Sequence, residues 1–217
     1  NYDVDGMVGF FRRHGLDAAR AGSLFDRGPT YRGRVDGLPT EYRRLLEGDV
    51  LRIGGRDWRV IVGYGHSPEH ASLYCAELGV LISGDMLLPR ISTNVSVMSS
   101  NPDGDPIRLF LDSIARYEAL PEGTLVLPSH GRPFRGIHAR AAQLAEHHAE
   151  RFAALIAACD TPKSACELIP TLFKRELDAH QIMFAMGESI AHLNYLEHAG
   201  RLKRTQDAGG VFRFVAI

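Results

Sequence analysis

The chain has 217 residues, 45% hydrophobic and 24% charged, an ordinary globular composition with room for one medium domain and a small second one. A formal net charge of −1 at pH 7 gives no overall field to draw nucleic acid or an anionic membrane. Cys75, Cys159 and Cys166 contain no C-x-x-C pair, which excludes a disulfide framework and points to a reducing, cytoplasmic compartment, and no apolar run reaches the ~18 residues of a membrane span. Residues 7–22 have helical spacing, with Met7, Phe10, Phe11, Leu16 and Ala19 apolar and Gly15 interrupting. Residues 23–48 read as a loop-rich connector with one short helix near 41–46. Segments 49–53 and 58–63 predict a hairpin about Gly54-Gly55, and 72–76 and 80–83 predict two more strands. The Ser/Asn/Pro/Gly-rich stretch 90–106 predicts a loop, here expected to form a substrate-facing wall, before an amphipathic helix at 107–120. A short buried strand at 124–127 and a long helix at 137–159 follow. Asp160-Thr161-Pro162 then reads as a helix start, opening a short helix at 163–169, a longer one at 178–199 and strands at 202–205 and 211–215. Helix, helix and a two-stranded wing describe a winged helix.

Three short segments carry the chemistry: Gly65-His66-Ser67-Pro68-Glu69-His70, Ser83-Gly84-Asp85 and Leu127-Pro128-Ser129-His130-Gly131. Each places an imidazole or a carboxylate just past a strand end, where loops present functional groups. A divalent cation needs three or four N/O donors converging from different directions. His66, Asp85 and His130 are too far apart in sequence for a helical or zinc-finger clip, so only a folded scaffold joins them. A lone histidine at a strand end is ordinarily a satisfied surface or core residue; three such segments in order reverse that reading. His147 and His148 are adjacent on a helix, point to different faces and are not read as ligands.

In this order the three segments resemble those of the metallo-β-lactamase superfamily of hydrolases, in the branch that carries a C-terminal winged-helix domain. The resemblance implies an α+β fold: a metallo-β-lactamase-like αββα sandwich over residues 1–145, followed by a small winged-helix domain over 146–217. It implies a site with two metal ions, usually zinc, and hydrolysis of a small ester, thioester or lactone by a metal-bound hydroxide. His66 would ligate the first metal, Asp85 would bridge both and act as the catalytic residue, and His130 would ligate the second. His70 matches a motif histidine that packs behind the site, and Glu69 stands where the family usually has glycine.

The family's H-x-H-x-D-H signature is not in the chain; residues 1–6 take its place. In one register Asp5 is the family aspartate, with Asn1, Asp3 and Gly6 for the histidines; in the other Asp3 is the aspartate and Val4 stands at a histidine. Aspartates in those places would favour manganese or iron. The strands that normally precede the signature are also lacking. That predicts a piece of a longer protein, an exposed inner sheet face and a tendency to homodimerise. Two other functions stay open. One is a ribonuclease-like phosphodiesterase using Arg201, Lys203, Arg204 and Arg213 near the wing; the other is a catalytically decayed binding module. From Asp160 onward seven basic residues face seven acidic ones, which disfavours nucleic acid and leaves a small-molecule substrate as the expected partner.

Overall fold

The computed structural model describes residues 4–25, 37 and 39–217. Residues 1–3, with Asp3 of one signature register, and 26–36, much of the expected connector, lie outside the described residues. The chain folds as two compact units: one from Arg43–Val95 and Pro106–Glu150, the other from the chain up to Tyr42, Ser96–Asp105 and Arg151–Ile217.

The first unit is built on a five-stranded sheet of β1 (Val50–Ile53), β2 (Arg56–Gly63), β3 (His70–Cys75), β4 (Val80–Gly84) and β5 (Leu125–Pro128), in that spatial order. The β1–β2 hairpin turns through Gly54 and Gly55, both at positive φ (58° and 77°), as a two-residue turn matched to strand twist requires. β1 to β4 pair antiparallel, whereas β4 and β5 pair parallel and need a crossover. α3 (Pro106–Ala115) supplies it, followed by a 3-10 turn at Arg116–Ala119, so the helix expected at 107–120 breaks into two. Alternation puts Ser72, Leu81 and Val126 on one face, all fully buried. There the Tyr117 hydroxyl bonds Ser72 Oγ at 2.9 Å, and burial pushes the phenol up to about 12. The opposite face carries the cross-strand row Leu73, Ile82 and Leu127; Ile82 is 39% exposed, and Leu73, Leu125 and Leu127 are half-buried. Among the described residues this aliphatic face is therefore partly open.

Residues 41–46 form no helix. The Arg44 guanidinium pairs with the Glu69 carboxylate and the Leu46 N–H bonds Asp49 Oδ2 at 3.0 Å. A single turn with no apolar stripe to bury lacks the packing that sustains short helices. α4 (Ile137–Ala158) begins in this unit, where Ile137, Ala141, Leu144 and His148 bury one stripe, and its residues from Arg151 onward belong to the second unit.

The second unit contains α1 (Val4–Arg13), α2 (Ala18–Phe25), α5 (Ala165–Leu172), α6 (Ala179–His198) and the hairpin of β6 (Leu202–Gln206) and β7 (Phe212–Ala216). The helix expected at 7–22 splits at Gly15, whose φ is 93° and whose missing Cβ makes room for Ser164. Ser164, not Asp160-Thr161-Pro162, starts α5. Its Oγ accepts from Glu167 N at 3.3 Å while the Glu167 carboxylate accepts from Ser164 N at 2.8 Å, a capping box. Lys163 is still extended and exchanges both backbone hydrogen bonds with Phe214. Ser96–Asp105 belongs here because α6 holds it: Val97 N donates to Gly187 O at 3.1 Å, and Asn194 Nδ2 donates to the carbonyls of Pro102 and Gly104, each at 3.0 Å. Among the described residues no helix is long and apolar enough to cross a membrane.

His14 lies in the core of this unit, its ring centroid 4.9, 5.1 and 6.2 Å from those of Phe10, Phe212 and Phe214. Burial, reinforced by Arg204 and Arg13, pushes its pKa down to about 4. On acidification the unfolded chain, near 6.5, takes up this proton first. His14 therefore supports the fold fully above about pH 6.5 and loses that contribution as pH falls toward 4. Urea midpoints between pH 6.5 and 4 should fall more steeply for the wild type than for His14→Leu, by up to about 1.4 kcal/mol per pH unit.

Candidate metal centre

Strand direction explains why three distant segments meet. β2, β4 and β5 run the same way and β3 the opposite way, so the ends of β2, β4 and β5 and the start of β3 share one sheet edge. Register places Gly63 beside His70 and Gly84 beside Pro128. His66 follows β2, Asp85 follows β4, and Ser129-His130 follow β5.

Each loop depends on a glycine. At Gly65 (φ 102°) an added Cβ would lie 2.4 Å from the Pro106 carbonyl oxygen and 2.6 Å from Phe110 Cβ, so the His66 loop presses directly on the start of α3. At Gly84 (φ 53°) an added Cβ would lie 2.4 Å from both Cε1 and Nε2 of His70. The His70 ring occupies that space, and its Nε2 accepts the Asp85 N–H at 3.3 Å. Burial, followed by the neighbouring His66, holds its pKa below the ordinary histidine range. His70 thus braces the Asp85 backbone from behind, as expected.

Asp85 is the centre of the cluster. Its Oδ2 stands 3.4 Å from His66 Nε2 and its Oδ1 3.4 Å from His130 Nε2. Oδ1 also accepts from Ser129 Oγ at 2.6 Å, and the Asp85 carbonyl accepts from Thr93 Oγ1 at 2.5 Å. His66 Nδ1 lies 2.9 Å from the Asn94 carbonyl. A carbonyl only accepts, so Nδ1 carries the hydrogen and Nε2 of the neutral ring keeps its lone pair. An imidazole lone pair and a carboxylate oxygen then border one gap. Two acceptors so placed are held together by a cation or by a proton. Two donors about 2.1 Å from one tetrahedral ion are roughly 3.4 Å apart, so each histidine–carboxylate pair fits one edge of a coordination shell. His66 and Asp85 side chains are 29% exposed and His130 65%, within reach of solvent.

The donor set fits divalent metal without completing a shell. Among the described residues no group of three or more His, Cys, Asp or Glu side chains converges on one ion position. Asp5 sits exposed in the first turn of α1, in the second unit. The structure joins His66, Asp85 and His130, and adds Thr93, Asn94 and the hydroxyl of Ser129, whose roles the sequence did not announce. A backbone carbonyl such as that of Asn94 leaves no residue-type signal. The loop expected at 90–106 divides at Val95, with Met86, Leu87, Leu88 and Val95 buried in the first unit.

The family model for the Metallo-beta-lactamase superfamily matches residues 6–130, and the model for Metallo-beta-lactamase-like, C-terminal domain matches 152–217. The chain belongs to the metallo-β-lactamase superfamily. Within it, the crystal structure of a beta-lactamase domain protein from Burkholderia ambifaria is similar at 50% identity and a TM-score of 0.92, over 97% of this chain and 62% of that one. The probable metallo-hydrolase YqjP of Bacillus subtilis (strain 168) is 27% identical over 153 residues, 66% of this chain and 46% of the relative. The hydroxyacylglutathione hydrolase of Cereibacter sphaeroides (strain ATCC 17025 / ATH 2.4.3) is 31% identical over 93 residues, 43% of this chain and 34% of the relative. The chain spans less than half the length of these two curated relatives.

The glycine argument is checked by a pair of variants. Gly79 has a similar φ of 61° but open space around an added Cβ, whereas Gly84 meets His70. Gly79→Ala should cost about 1 kcal/mol and Gly84→Ala about 3 kcal/mol or more, read as urea unfolding of both variants.

Proposed function

We propose that this chain belongs to a metal-dependent hydrolase of a small ester, thioester or lactone. One observation carries the reading: a single carboxylate, Asp85, offers one oxygen toward the Nε2 of His66 and the other toward the Nε2 of His130. In this reading His66, Asp85 and His130 would hold the metal, with Asp85 shared between two ions. Zinc suits this mixed N/O set, with manganese or iron as alternatives. Bound there, divalent metal lowers the pKa of a coordinated water from ~15.7 to about 7 and polarises the scissile carbonyl. Asp85 is the catalytic residue in the sense that it fixes the separation of the two positions, and the Ser129 hydroxyl fixes Oδ1. The relative named as a hydroxyacylglutathione hydrolase supports an acyl substrate, since its named substrate is a thioester.

The wider reading is a metallo-β-lactamase-like domain over 1–145 and a winged-helix domain over 146–217 built on α5, α6 and the β6–β7 hairpin. It expects a cytoplasmic protein with a small-molecule substrate in preference to nucleic acid and with no membrane, and it allows a homodimer through the half-open sheet face. That no three such donors converge on one ion position among the described residues favours a second reading, a binding module that has lost catalysis.

Elemental analysis of protein purified from the complete reading frame separates these. The hydrolase reading expects about two metal equivalents in the wild type, about one in His130→Ala and close to none in Asp85→Ala. It also expects thioester or lactone turnover that rising salt leaves unchanged and Asp85→Ala abolishes. A wild type free of metal and without turnover defeats it and leaves the binding module. RNA cleavage that collapses with salt would instead favour the phosphodiesterase.

A further inference from the structure

Between β4 and the end of the first unit's loop, the backbone carbonyls are held by a succession of side-chain donors. Ser83 Oγ donates to Leu87 O at 2.9 Å, Arg140 Nε to Leu88 O at 2.7 Å and Arg140 Nη2 to Ile91 O at 3.0 Å. Thr93 Oγ1 then turns back to the Asp85 carbonyl, closing an eight-residue loop, and the next residue gives its carbonyl to His66 Nδ1. Thr93 is 3% exposed and Val95 is fully buried, so this end of the loop is packed as well as bonded. Loop and imidazole meet at one residue, and the bond that fixes where that residue lies is made by the hydroxyl beside it.

We propose that Thr93 is a positioning residue for His66 and Asp85: its hydroxyl, by tying the loop to the Asp85 carbonyl, sets the Asn94 carbonyl where it selects the Nδ1–H form of His66 and aims Nε2 at Asp85. The proposal rests on the metal-site reading for its purpose but not for its geometry. A ligand histidine needs its other nitrogen bonded to fix ring and tautomer, and such supporting partners typically change metal affinity by 10–100-fold. Here the bonded partner is a carbonyl that mutation cannot remove, which makes Thr93 the genetic handle on it. Arg140 holds the middle of the same loop through the Leu88 and Ile91 carbonyls.

The test uses histidine-15N-labelled full-length protein in Thr93→Val, Thr93→Ser and wild-type forms. Long-range 1H–15N spectra of the metal-free protein report the His66 tautomer, and competition against a chromophoric chelator reports Zn2+ affinity. The expected result is a single Nδ1–H tautomer in wild type and Thr93→Ser, mixed tautomers in Thr93→Val, and Zn2+ affinity about tenfold weaker in Thr93→Val only. Wild-type spectra and affinity in a folded Thr93→Val overturn the proposal. Should Thr93→Val not fold, Thr93→Ser still decides: a folded Ser variant with mixed tautomers shows that the methyl group's packing, not the hydroxyl, does the positioning, and overturns it, whereas a retained tautomer supports it. A wild type that binds no Zn2+ while Thr93→Val mixes the tautomers supports the positioning role and defeats the metal reading separately.

Discussion

At Gly84 the chain bends with positive φ while the His70 ring lies against the α-carbon, and the two conditions together favour glycine over any larger residue. That bend turns the Asp85 N–H back to His70 and sends its carboxylate forward between His66 and His130. The remaining contacts hold that carboxylate and its backbone in place. Ser129 bonds one oxygen, Thr93 bonds the carbonyl, and His70 takes the amide. A negatively charged group with so many fixed partners stays where it is with little reorganisation, the property a metal-bridging carboxylate requires.

Sheet topology makes this economical. Because β5 returns parallel to β4 through the α3 crossover, the strand ends that lead to Asp85 and His130 lie side by side, and β2 points the same way two strands across. Glycines at 65, 84 and 131 let the three loops pack closely; an added Cβ at Gly131 would fall 2.7 Å from Pro89 Cγ. The site is therefore a property of one sheet edge, with rigid strands behind it and short loops in front. What this edge offers by itself is one carboxylate with an imidazole beside each of its oxygens.

Much of the architecture was legible along the chain. Period-two alternation and the Gly54-Gly55 turn marked the first hairpin, and apolar stripes marked α3 and α4. The candidate ligands were legible because imidazole and carboxylate at strand ends are residue-type signals. Helix boundaries were less so. Asp160-Thr161-Pro162 has the composition of a helix start, yet the pairing of Lys163 with Phe214 keeps the chain extended until Ser164. Residues 41–46 have helix-forming side chains, yet Arg44 and Leu46 find better partners outside any helix.

The sequence by itself determined the order of elements, the glycine turns and the identities of His66, Asp85 and His130, because periodicity, positive φ and donor chemistry are local properties. Tertiary structure alone decided that Ser96–Asp105 joins α6 and that His14 is buried among aromatic rings. It also decided that the His66 proton is fixed by a backbone carbonyl twenty-eight residues away. Every residue but proline carries the same amide and every residue the same carbonyl, so which one meets a given side chain is set only when the fold brings them together.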